Sequence, residues 1–215
     1  VEGLHKAIEH FDEAIRHDPS YALAYAAIAD TYEQLLGYEG VSAEKYSKAK
    51  SAALTALELD PSLAEAHTAL GVVKTFYDWD WAGADAAFRR ALVLNPNSAT
   101  THNWYGWHLL YLRRWDEAIA ELRRAIELDP VSIIMKADLG FGLVNAGRWD
   151  DALQQLQKTL ELDPGQTWML NGIGWAYVGK GMNQQALTTF QKELESPERE
   201  VYALAAIAST HAFAG

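Results

Sequence analysis

Cysteine is absent from the 215 residues, which removes any disulfide framework and any thiolate chemistry. Cations are scarce: Lys and Arg total 18 against 29 Asp and Glu, a formal net charge of −11. So acidic a chain lacks the basic face that phosphate neutralisation requires, which argues against nucleic acid and against an anionic membrane surface as partners. No span of about 20 apolar residues and no signal-type apolar core is present. None of the strings H-E-x-x-H, G-x-S-x-G or G-x-x-x-x-G-K-S/T occurs, and the seven histidines form no ligand set. The expected reading is therefore no enzyme, no metal and no cofactor. Missing cysteine fits the cytoplasm, the expected location. The chain opens Val1-Glu2-Gly3 without an initiator Met, as a piece of a longer protein would.

Proline is also rare, at six residues, and its placement is regular: Pro96, Pro130 and Pro164 lie 34 residues apart. Between them the pattern repeats. In 99–130, Tyr105, Gly106, Leu109 and Leu112 share one helical face, then Ala118, Leu122, Ala125 and Leu128 share another. The next 34 residues give Leu139-Gly140, Leu143, Trp149-Asp150, Ala152, Leu156 and Asp163-Pro164, and Ile173-Gly174 and Ala186 follow in step. Proline cannot donate its backbone hydrogen bond and drives the preceding residue out of the helical region, so each Asp-Pro stops a helix. Ser98 and Ser132 can cap the next one. Gly106, Gly140 and Gly174 are placed where two helices cross closely, since a helical glycine costs roughly 0.5–1 kcal/mol that packing must offset.

This period divides the chain into a half repeat 1–19, full repeats 20–61, 62–96, 97–130, 131–164 and 165–197, and a half repeat 198–215. The first full repeat carries eight extra residues, expected as a loop around Gly37-Tyr38-Glu39-Gly40, with Ser42 capping the helix beyond. The second has one extra residue, and Asp78-Trp79-Asp80-Trp81 replaces its short turn. Helices are expected near 3–17, 22–36, 43–59, 63–77, 82–94, 98–112, 116–128, 132–146, 150–162, 166–180, 184–195 and 199–213. His67 and His102 share one repeat position and read as packing or surface residues. Trp81, Trp115 and Trp149 share another and read as packing the turn between helices.

A 34-residue helix pair with Leu139-Gly140 and Ile173-Gly174 in its first helix, Ala118, Ala152 and Ala186 opening its second, and a closing proline resembles the tetratricopeptide repeat (TPR) family. The resemblance implies an all-α, right-handed superhelix of antiparallel helix pairs, an α-solenoid. It also implies that first helices line a concave groove that binds a peptide. Family groove positions carried onto this sequence give Phe76, Asn103, Trp104, Trp107, Tyr111, Phe141, Asn145, Trp168, Asn171, Trp175 and Tyr202. The aromatic rings would anchor the peptide, and Asn103 and Asn171, each with donor and acceptor, would hold its main chain. The Lys/Arg clamp with which some family grooves grip acidic tails is not present; the matching positions hold Asn, Trp, Phe and Ala. Asp30, Glu33, Glu65 and Asp138 favour a neutral or basic segment instead.

The implied function is a non-catalytic protein–protein interaction scaffold. The alternative is a spacer or self-association module, because YALAYAAIADTYEQLLG and the YDWDWAGA turn also resemble arrays in multidomain bacterial signalling and transcription regulators. Self-association would run head to tail between two apolar stripes. One is Leu4, Ala7, Ile8, Phe11 and Ile15; the other is Leu204, Ile207, Ala208 and His211. Phe11 and Ile207 should then be more exposed than their repeat equivalents.

Overall fold

The computed structural model describes residues 1–39, 42–196 and 199–214. Among the described residues there are twelve α-helices and no strand. They group into two compact bodies, Val1–His108 and Leu109–Gly215. The first holds α1 (Glu2–His17), α2 (Ala22–Glu39), α3 (Ala43–Leu59), α4 (Ala64–Val73), α5 (Trp81–Leu94) and most of α6 (Ala99–Tyr111). The second holds the end of α6, then α7 (Trp115–Leu128), α8 (Ile133–Asn145), α9 (Trp149–Leu162), α10 (Met169–Gly179), α11 (Asn183–Glu193) and α12 (Glu200–Ala214). Packing is most extensive within the pairs α2–α3, α4–α5, α8–α9 and α10–α11, and each pair then packs on a neighbour. This is an all-α solenoid of helix pairs.

The capping serines act as their positions imply. Ser42, Ser98 and Ser132 accept from the amides of Lys45 (3.5 Å), Thr101 (3.2 Å) and Met135 (3.2 Å). A second device recurs at the prolines. His67 Nε2 and His102 Nε2 meet the carbonyl oxygens of Pro61 (3.0 Å) and Pro96 (3.1 Å), and Lys136 Nζ donates to that of Pro130 (2.6 Å). The shared histidine position is thus a strap from the first helix to the preceding proline turn.

Three boundaries differ from the sequence expectation. α2 continues through Gly37 to Glu39, where a loop was expected; one helical glycine costs only about 1 kcal/mol, too little by itself to end the helix. Gly40, in that expected loop, lies outside the described residues. α10 starts at Met169 rather than 166; Gln166 stands where the two preceding repeats have the capping serines Ser98 and Ser132. Residues 163–168 instead form turns, with Asp163 accepting from the amide of Gly165 (3.2 Å) and the side chain of Gln166 (2.8 Å). Thirdly, α4 gives way to a π-helical turn, Lys74–Asp78. The π-turn takes up the one extra residue of 62–96. Beyond it Trp79 enters the left-handed region at φ 57°, and Arg113, Gly147 and Gly181 repeat that conformation at intervals of 34 residues.

The core is set by one register position of the second helices: Phe88, Leu122, Leu156 and Phe190 are all fully buried. Glycine on the facing first helix makes room. A Cβ on Gly71 would stand 2.9 Å from the Phe88 ring, and one on Gly174 would overlap the ring of Phe190. Close crossing at these glycines is therefore required, not merely permitted.

Candidate functional site

In the N-terminal body α4 and its π-turn meet the next first helix, α6, through a polar seam. Thr68 and Thr101 share a hydrogen bond of 2.7 Å, and Thr75 Oγ1 lies 2.9 Å from His108 Nδ1. Because the Thr75 hydroxyl also donates to the Gly71 carbonyl (2.9 Å), it accepts from His108 Nδ1–H. His108 is fully buried among the rings of Phe88 and Tyr105, 5.6 and 6.1 Å away. Of the sequence-derived groove residues, Phe76 and Trp104 pair edge to face at 5.8 Å, and both are half-buried. Trp107 is half-buried as well, while Asn103 is buried.

Two carboxyls on α2 belong to the same body. Glu33 is buried and, among the described residues, its Oε1 has no hydrogen-bond partner. Burial first, and then the charge of Asp30, pushes its carboxyl well above the usual range. Asp30 is raised by burial too, against the opposing hydrogen bond from Gln34 (2.8 Å).

In the C-terminal body the aromatic residues divide differently. Phe141 and Trp168 stack at 5.5 Å with their planes 7° apart, both half-buried. Trp175 packs edge-on against the buried Phe190 at 5.7 Å, so much of that ring fills the α10–α11–α12 core. Tyr111 is exposed; so is Asn145, whose amide donates to its own helix at the Phe141 carbonyl (2.8 Å). Asn171 is engaged rather than open: its amide donates to Glu193 Oε2 (3.0 Å). The other Glu193 oxygen accepts from Arg199 Nε (3.2 Å), and the Arg199 guanidinium covers the exposed Tyr202 ring at 4.3 Å.

Glu193 is fully buried and escaped the sequence reading. A signal existed: it occupies the register of Ala125 and Thr159, a core-facing position where a carboxylate demands partners. Trp81, Trp115 and Trp149 each open a second helix, and Trp149 lies 2.5 Å from the position a Gly179 Cβ would take. Among the described residues no cluster of His, Cys, Asp and Glu could hold a metal ion, and no helix is long and apolar enough to cross a membrane.

Comparison with known proteins agrees with this architecture. The crystal structure of YrrB, described as a TPR protein with an unusual peptide-binding site, is 27% identical and superposes with a TM-score of 0.61, covering 93% of this chain and 98% of that one. PilF of Pseudomonas aeruginosa is 25% identical with a TM-score of 0.63, covering 86% and 90%. In sequence, the transcriptional regulator HilA of Salmonella typhimurium is 27% identical over 117 residues, 54% of this chain. The chain spans 21% of the length of that relative. The family model for the tetratricopeptide repeat matches residues 80–133 and 138–209, more than half of the chain. The chain belongs to the tetratricopeptide repeat family.

Proposed function

We propose that the chain is a non-catalytic scaffold whose first-helix faces bind a peptide segment of a partner protein through aromatic anchors. The supporting observation is that each body keeps a half-buried ring pair on or at the end of its first helices: Phe76, in the π-turn that continues α4, with Trp104 of α6, and Phe141 of α8 with Trp168, the residue just before α10. Rings so held lose little entropy on binding yet retain area to cover. Trp107 adds a third anchor. Of the four first-helix carboxyls, Glu65 is exposed and Asp30 half-buried, and these two favour a neutral or basic segment; Glu33 and Asp138 are buried and do not face one. YrrB, a TPR protein with a peptide-binding site, lends support by analogy. Selection of a peptide library on the chain should enrich aromatic-binding, non-acidic sequences. Trp104→Ala and Trp168→Ala should each weaken a selected peptide by about 2 kcal/mol, roughly thirtyfold. Unchanged affinity in both variants would refute the anchors.

A second reading, a module within a longer transcription regulator, is favoured by the match to HilA. It includes head-to-tail self-association. Val201 and Leu204 on α12 are exposed, and Phe11 on α1 is half-buried where Leu122 and Phe190 are fully buried. Light scattering over a concentration series distinguishes it: growth of mass with concentration supports it, and a constant monomer removes it.

A further inference from the structure

A cleft in the C-terminal body lies between the second helices α7 and α9, with the α8 residues Leu139 and Leu143 beneath it. Its main hollow measures about 320 Å³ and continues into a second of about 290 Å³. Three cations from three helices line it: Arg123, Lys136 and Lys158. Arg123 and Lys158 are exposed and make no ion pair among the described residues. Lys136 Nζ gives one proton to the Pro130 carbonyl and keeps two.

The carboxylates at the rim are already engaged. Glu127 pairs with Arg124 (3.0 Å) and Asp151 with Arg148 (2.6 Å). In a chain of net charge −11, this leaves uncompensated cations beside one hollow. Apolar surface adjoins them: Ile126 and the exposed Leu162 stand at the same mouth.

A small anion would leave that apolar surface uncovered, and a purely apolar segment would strip water from three cations without replacing it. We infer that this cleft is a second recognition site that takes an acidic amphipathic segment of a partner protein. Its carboxylates face Arg123, Lys136 and Lys158, and an apolar side chain rests on Leu139 and Leu162. Arg123 offers the fork geometry that grips a carboxylate in two bonds, and the two lysines act as point charges. At physiological ionic strength the chain's remote negative charge is screened beyond about 8 Å, so the local cations decide. The site therefore takes partners opposite in charge from those proposed for the first-helix faces.

The test uses the whole chain and a labelled helical peptide built of Glu and Leu, followed by fluorescence anisotropy. Binding should weaken as salt rises. It should fall at least about tenfold in Arg123→Ala and in Lys158→Glu, each of which removes an unpaired exposed charge. Lys192→Ala on α11 and Trp168→Ala at the Phe141–Trp168 ring pair should leave it unchanged, which separates this site from the peptide surface proposed above. Circular dichroism of each variant verifies that the helices persist. Equal binding of a Gln-for-Glu peptide would overturn the proposal. So would retained affinity in both charge variants, or binding of inorganic phosphate without binding of the peptide.

Discussion

The N-terminal and C-terminal bodies follow one 34-residue plan and differ in the side chains at its seams. At a single register position of the first helices the sequence runs Glu33, Thr75, Leu110, Val144 and Val178. The first two, in the N-terminal body, are polar and buried; the last three, in the C-terminal body, are apolar. The core differs as well. α3 contributes Ala53 at the register where α5, α7 and α9 contribute Phe88, Leu122 and Leu156, so the small core residue is local to the first full repeat. Small side chains give less buried area, and hydrogen bonds give direction. At the first-helix register position the N-terminal seams carry polar groups, with Thr75 paired to His108, and the C-terminal ones carry apolar volume. In the C-terminal body the fully buried carboxylate of Glu193 is held by Arg199 and Asn171.

That contrast can be broken most severely at Glu193. Glu193→Ala strands the Arg199 guanidinium and the Asn171 amide, and should destabilise the α10–α12 region by about 3 kcal/mol. Hydrogen exchange should register the loss in that region and not in α2–α4, since repeat arrays open locally.

Glu33 gives the next largest effect, and one that depends on pH. Its carboxyl titrates higher in the folded chain than the ordinary 4.5 it regains on unfolding. Over that interval the folded state holds a proton that the unfolded state releases. The contribution is complete at low pH and is lost as pH rises through the folded value. The slope reaches at most about 1.4 kcal/mol per pH unit. Glu33→Gln should flatten it, leaving the slope of Asp30, so that the variant gains on the parent in urea midpoints as pH rises above the ordinary 4.5.

Thr75→Val keeps the shape and removes the acceptor of His108. A loss of about 1 kcal/mol is expected, confined to the N-terminal body. The smallest change is a gain. Trp79→Gly, at φ 57° where Gly147 and Gly181 hold the same conformation, should stabilise by about 0.5 kcal/mol, read as a rise in thermal midpoint.

Most of this architecture was legible because proline, glycine and alanine recur at fixed intervals, and those residues act through backbone sterics alone. The boundaries of α3 could be read off Ser42 and Asp60-Pro61 for that reason. The site was legible only in part. Register places Trp168, Asn171 and Trp175 on first helices, but it is silent on what each side chain touches. Asn171 reads as an open amide until Glu193, 22 residues later, is seen to occupy it. Trp175 reads as an anchor until the Phe190 ring is placed against it. The cleft of Arg123, Lys136 and Lys158 draws on three helices, and in the sequence these are three ordinary surface cations.

The π-turn at Lys74–Asp78 has a consequence for how such arrays change length. In an α-helix one added residue turns everything after it by about 100°, which would swing Thr75, Phe76 and the start of α5 off their partners. Here the added residue is absorbed within a single turn, and the left-handed corner at Trp79 restarts the count, so Arg113, Gly147 and Gly181 remain in phase. The corner works as slack in a measuring tape: length can enter or leave without shifting the later marks. Removing one residue from 74–78 should therefore give back a plain α-helical turn and leave the Thr68–Thr101 pairing where it stands. In this chain one residue can then enter or leave at the helix-ending corner, while the same change eight residues earlier would scramble the Thr68–Thr101 seam.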